Sequence, residues 1–206
     1  MTLNIRRVVT GHDAQGRSTV LIDEQVTNQH SPRPGATYSV IWSTEELPAN
    51  NDGNADPSNK KIPTAIAEGS VFRVVSFGPG VAPRNHRTDS IDYAVVISGE
   101  IDMVMETGTV RLKTGDVMVQ RGTIHDWVNT GTVPCVIAFA LIGARKRQGQ
   151  TAGPIPRRAR WRPVPPDAFA TARAQSAPSA VRTEAATRSA GRSRHRTCAT
   201  GQGYRQ

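Results

Sequence analysis

Cysteine, aromatic side chains and long apolar runs are all scarce in this chain of 206 residues. The only cysteines are Cys135, in an apolar run, and Cys198, far along the chain. That excludes a disulfide framework and points to a reducing compartment, with Cys135 read as a small buried hydrophobe. No apolar run nears the roughly 20 residues a membrane span needs. The opening Met-Thr-Leu-Asn-Ile-Arg-Arg has no apolar segment and no small-residue cleavage site, so no secretory signal is expected and the expected location is the cytoplasm. Helical periodicity is missing as well, which leaves strands as the building material.

The net charge of +9 is unevenly spread. Residues 1–144 hold 12 Lys/Arg against 15 Asp/Glu, a net of −3, whereas residues 145–206 hold 14 against 2, a net of +12. The body therefore lacks the electrostatic footprint of a nucleic-acid-binding domain. A body of this size buries roughly two-thirds of its unfolded surface, enough for a core. The region 145–206 is rich in Arg, Ala, Pro and Ser, with too few apolar residues for a core, and is expected to be a disordered basic tail. It could hold polyanions without specificity. GC-rich DNA read out of frame yields the same mixture, so a frameshift origin stays open. Three divisions follow: N-terminal strands and a loop at 1–69, a core at 70–144, and the tail.

Along the body, short β-rich runs alternate with turn signals. Strands are expected at 4–9, 18–23, 36–44, 70–77, 92–97, 101–106, 109–113, 117–120, 125–129 and 133–142, with Gly-bearing turns between many of them. Residues 24–35, with Pro32, Pro34 and Gly35, read as a loop. So do residues 48–62, either a surface excursion or a lid. Residues 92–97 are apolar at nearly every position and read as a strand covered on both faces. The whole pattern is that of an all-β sandwich or barrel.

The chemistry-bearing residues cluster between Gly80 and Asn129. His86, Thr88 and Asp92 fall at even spacing, and even spacing on a strand shares one face. His125 lies on a later strand with Trp127 two residues on. Two neutral imidazoles and one carboxylate converging on a point can hold a divalent metal such as Fe, Mn, Ni, Cu or Zn. A metal-free alternative places a hydrogen bond between His86 and Asp92 or Thr88, with His86 as a general base. Arg87 and Arg121 flank the histidines and read as solvent-facing or sheet-edge residues, or as rim groups recruiting an anion.

These residues resemble the two motifs of the cupin superfamily, in its small single-domain barrels. Gly80, His86, Thr88, Asp92 and Gly99 keep the spacing of the first motif, with Thr88 where a second histidine is usual and Asp92 where a glutamate is usual. Gly115, Gly122, His125 and Asn129 match the second, one residue short between the glycines and with Gln120-Arg121 in place of the usual proline. The resemblance implies a double-stranded β-helix, or jelly roll, often a homodimer through N-terminal strands. It also implies metal ligation by His86, Asp92 and His125, the catalytic set, with Thr88, Trp127 and Asn129 around the pocket. Some similar microbial proteins accompany secondary-metabolite pathways and are described as oxidoreductases or cyclase-like. A metal-dependent small-molecule oxidoreductase, isomerase or cyclase is the first expectation. The second is a non-catalytic binding protein for a small organic ligand.

Overall fold

The computed structural model describes residues 3–146. The expectations for the basic tail, including Cys198, lie outside the described residues. Within them the chain forms eleven strands and one 3-10 turn. The strands are β1 Arg6–His12, β2 Ser18–Gln25, β3 Gln29–Arg33, β4 Ala36–Thr44, β5 Ser70–Phe77, β6 Ser90–Ser98, β7 Glu100–Met105, β8 Thr109–Lys113, β9 Val117–Arg121, β10 His125–Val128 and β11 Cys135–Gly143. Six form one sheet in the order β3-β4-β5-β11-β6-β9 and three form another in the order β10-β7-β8, while β1 and β2 make a separate hairpin. All pairings are antiparallel. This is the all-β architecture expected from the turn spacing, in the jelly-roll form that the cupin resemblance implies.

The core lies between the two larger sheets. Val71 and Phe77 of β5, Ala94 and Val96 of β6, Trp127 of β10 and Phe139 of β11 belong to one buried cluster. Each such side chain contributes about 1.5–3 kcal/mol by leaving water. Cys135 is fully buried, and burial pushes its thiol up to about 11, as suits an inert packing residue.

Two strand expectations are corrected. Residues 24–35 are not all loop, because β3 pairs with β4 at the sheet edge. Pro32 is accommodated there where the pairing shifts register between His30 and Arg33, since an edge strand need not donate from every residue. Strand β6 is not covered on both faces. Asp92, Ala94 and Val96 point inward and are buried, while Tyr93 is 51% exposed and Ile91, Val95 and Ile97 share its outer face. The apolar run from Tyr93 to Ile97 hid a plain alternation of inside and outside.

The long segment between β4 and β5 is anchored rather than loose. Arg7 of β1, 4% exposed, donates through Nη2 to Asp56 at 2.7 Å and to Glu24 at 2.5 Å. Its Nη1 donates to Ser58 Oγ at 2.5 Å and to the Ile41 carbonyl at 3.2 Å. Asp56 also caps the 3-10 turn Pro57–Asn59. Further on, the Gly143 N–H donates to the Gly69 carbonyl at 2.8 Å, tying the end of this segment to the last residue of β11. Both glycines are needed by close approach: a Cβ would lie 2.0 Å from Ala67 O at Gly143, and 2.0 Å from Thr44 O at Gly69.

Candidate functional site

His86 precedes β6 and His125 opens β10. Each donates its backbone N–H to the other's carbonyl, at 3.0 Å both ways. Such a pair sits directly opposite across an antiparallel bridge, so the two side chains leave on the same side. Their rings lie 4.6 Å apart at 49°. Each imidazole is then oriented by a carbonyl two residues upstream: His86 Nδ1 lies 2.9 Å from Arg84 O, and His125 Nδ1 lies 2.9 Å from Thr123 O. A carbonyl only accepts, so the neutral His86 ring carries its proton on Nδ1 and keeps a lone pair on Nε2. The shorter contact to Thr123 O favours the same tautomer of His125, whose Nδ1 also lies 3.2 Å from the Gln120 amide nitrogen. His86 is pushed down to about 4, first by burial and then by the neighbouring His125. His125 is also lowered, with burial as the leading cause. Both are neutral at pH 7.

Asp92 stands apart from this pair. It is 5% exposed on the inner face of β6, and its Oδ1 accepts from Ser90 Oγ at 2.5 Å. Burial raises its carboxyl above the usual range, opposed by hydrogen bonds from Ser90 and Thr88. Among the described residues no three His, Cys, Asp or Glu side chains gather closely enough to hold a metal ion. The structure therefore joins His86 with His125, and Asp92 with Thr88 and Ser90, without joining the two groups into one donor set. Catalytic zinc sites present three protein ligands, so His86, Asp92 and His125 do not fit a metal centre as arranged. The expected hydrogen bond from His86 to Asp92 or Thr88 is replaced by the one to Arg84 O.

A cavity of about 350 Å³ opens over the histidines. Thr88, Asp92 and Trp127 line it as expected. Trp127 stands edge-on to His125, with ring centroids 5.6 Å apart, and packs against Phe77 and Phe139. Asn129 does not line it. Its side chain is 2% exposed and spent on the turn after β10, donating to Phe77 O and Val133 O and accepting from Gly131 N. Arg87 and Arg121 border a different hollow, beside Ser90 and Gly122.

The residues that sequence reasoning passed over come from three places. Arg33, the last residue of β3, and Arg84 line the cavity, and Ile62, Pro63 and Thr64 supply one wall. Arg73 of β5 lies within it, 8% exposed, with its guanidinium 5.1 Å from the centre of the Tyr38 ring. Its Nη2 donates to Pro63 O at 2.7 Å and to Thr64 O at 2.9 Å. The signal was parity: Val71, Arg73 and Phe77 share the inward face of β5, where a cation is out of place.

The geometry can now be set beside known proteins. The family model described as the cupin domain matches residues 73–141. The cupin-domain-containing oxidoreductase fogC of Aspergillus ruber is 37% identical over 145 residues, which cover 66% of this chain and 71% of that protein. This chain belongs to the cupin-domain family. The cupin-domain-containing oxidoreductase srdD of Neurospora crassa is 33% identical over 150 residues, covering 69% of this chain and 76% of that one. Phomopsin biosynthesis cluster protein C' of Diaporthe leptostromiformis is 40% identical over 132 residues, covering 60% and 69%. In this cupin barrel the two motif histidines are the pair that the backbone bridge sets face to face, and Thr88 occupies the wall beside them.

Proposed function

We propose that this cupin-domain protein is a small-molecule enzyme of a biosynthetic pathway, of the oxidoreductase kind named for its relatives, with His86 and His125 as its reacting pair. The observation that carries the reading is the pair itself. Two neutral imidazoles lie 4.6 Å apart, each oriented by a backbone carbonyl, at a cavity large enough for a small organic molecule. The unprotonated Nε2 atoms accept a proton or a hydrogen bond from a bound substrate. Trp127, Phe77 and Phe139 supply an apolar wall that orients a ring or chain and keeps water from the histidines. Asp92, held by Ser90 and Thr88, is a polar group at the same cavity rather than a partner of either imidazole.

The test compares metabolites of a strain lacking the gene with strains carrying the wild type, His86→Ala or His125→Ala. An intermediate that accumulates in the deletion and in both variants, and that purified full-length wild-type protein converts, supports the reading. Normal metabolite profiles with both variants, at wild-type melting temperatures, overturn it. Elemental analysis of the same preparations reports whether Fe, Mn, Ni, Cu or Zn accompanies the histidines. The separation of Asp92 from the pair favours a second reading, a non-catalytic binding protein. That reading predicts binding of the accumulated compound without conversion.

A further inference from the structure

We infer that the cavity takes a carboxylate-bearing small molecule, whose carboxylate is met by Arg73. The inference deepens the reading above and rests on it for the cavity being the substrate site. Its starting point is a buried cation with no carboxylate in ion-pair contact. Arg73 is 8% exposed, and it makes no ion pair among the described residues. Its Nε is buried with no hydrogen-bond partner, and Nη2 is spent on two neutral carbonyls. Nη1 is the remaining donor of a residue that lines the cavity. Buried charges are ordinarily paired, because desolvation without a partner is costly.

Asp92 acts on Arg73 at a distance without closing an ion pair. The two side chains line the same cavity and each favours the other's charge, but they stem from strands on opposite sides of β11 and do not come within ion-pair distance. Asp92 also already accepts from Ser90. Arg33 and Arg84 line the same cavity and likewise form no ion pair among the described residues. Three guanidinium groups thus face one carboxylate. The other walls are apolar or aromatic, with Tyr38, Val75, Phe77, Trp127, Phe139 and Leu141. One buried donor among aromatic walls suits a singly charged head on an apolar body, and a doubly charged phosphate less well. An anion here also acts on the histidines. Its charge favours their protonated forms and lifts both imidazoles from their depressed values toward neutrality, where proton transfer is most efficient.

The experiment titrates the full-length protein with benzoate, hexanoate, benzamide and phenyl phosphate by calorimetry. Benzoate is expected to bind about tenfold or more tightly than benzamide, the scale set by one charged hydrogen-bonded contact. That preference is expected to vanish in Arg73→Met, to persist in part in Arg73→Lys and to be untouched in Arg121→Met, which lies outside the cavity. Should Arg73→Met not fold, the ¹⁵Nε–¹Hε signal of Arg73 in the wild type serves instead, shifting with benzoate and not with benzamide. The inference is overturned by equal affinity for benzoate and benzamide, by a preference that survives Arg73→Met, by tighter binding of phenyl phosphate, or by no binding of either benzoate or hexanoate. His86→Ala separates the two readings. Carboxylate preference retained while the metabolite test fails sinks the catalytic assignment alone. Conversion of a neutral intermediate, with no carboxylate preference, sinks this one alone.

Discussion

The main chains of His86 and His125 exchange two hydrogen bonds of equal length, 3.0 Å each, although 38 residues separate them in sequence. Relative position at the reacting pair is thus fixed by backbone rather than by side-chain packing. Substituting either imidazole leaves the bridge intact, so the alanine variants report on chemistry with little disturbance of the barrel.

Acid should weaken the fold through His86. Its pKa is about 4 when folded against an ordinary 6.5, so the unfolded chain binds the proton more readily between those values. The contribution is fully present above pH 6.5 and is lost as pH falls through about 4. Urea midpoints should hold steady from pH 8 to 7 and drop between pH 6 and 4. His86→Gln should flatten that drop, and an unchanged profile in the variant would place its origin elsewhere.

Asp92→Asn should behave in the opposite sense. A carboxyl raised by burial contributes stability below its ordinary value of 3.8 and loses it as pH rises through the folded value. At pH 7 the ionised group is therefore a burden, and asparagine keeps an oxygen for Ser90. The variant should match or exceed the wild type at pH 7 by about 1 kcal/mol, with the advantage gone at pH 3.5. A clear loss of stability at pH 7 by urea titration would contradict this.

Arg7→Met should release the segment between β4 and β5. Removing a 4% exposed cation strands Asp56 and Ser58, at a cost of about 3 kcal/mol. Chemical denaturation should show the loss. Limited proteolysis should show new cleavage within 48–62, whereas an unchanged digestion pattern would mean that the segment is held by other contacts.

Thr88→His should create metal affinity. Thr88 lines the cavity with both histidines, and a third imidazole there supplies the ligand count of a catalytic centre. Zinc retained after dialysis should rise in the variant relative to wild type, and should fall again when His125→Ala is added. Equal zinc in variant and wild type would mean that position 88 cannot reach the pair.

Much of the barrel was legible because its turns are marked by glycine and its strands by β-branched residues. The exceptions have particular causes. Pro32 and Pro34 disguised β3, since an edge strand tolerates what a central one does not. The apolar run 93–97 of β6 gave no hint that Tyr93 and Val95 face outward. At the site, motif spacing identified His86 and His125 but not the bridge between them, which depends on chain segments that sequence does not show to be adjacent. Even spacing put Asp92 at the cavity, where it lies but accepts from Ser90 rather than joining the histidines. The motif resemblance put Asn129 there, whereas the fold commits it to backbone groups outside the cavity. Arg73 was readable, because inward parity on β5 placed a cation among valines and a phenylalanine.

The contact of Gly143 with Gly69 bears on how such a barrel can change its diet. Ile62, Pro63 and Thr64 form a cavity wall, and the segment carrying them is held at one end by Arg7 and at the other by this glycine pair. Between two fixed posts, the side chains at 62 and 64 can be exchanged while the carbonyls that hold Arg73 stay put. Any side chain at 143 would push Ala67 and shift the wall as a block. New substrate preferences should therefore be reached soonest through libraries at 62 and 64, and position 143 should tolerate glycine alone.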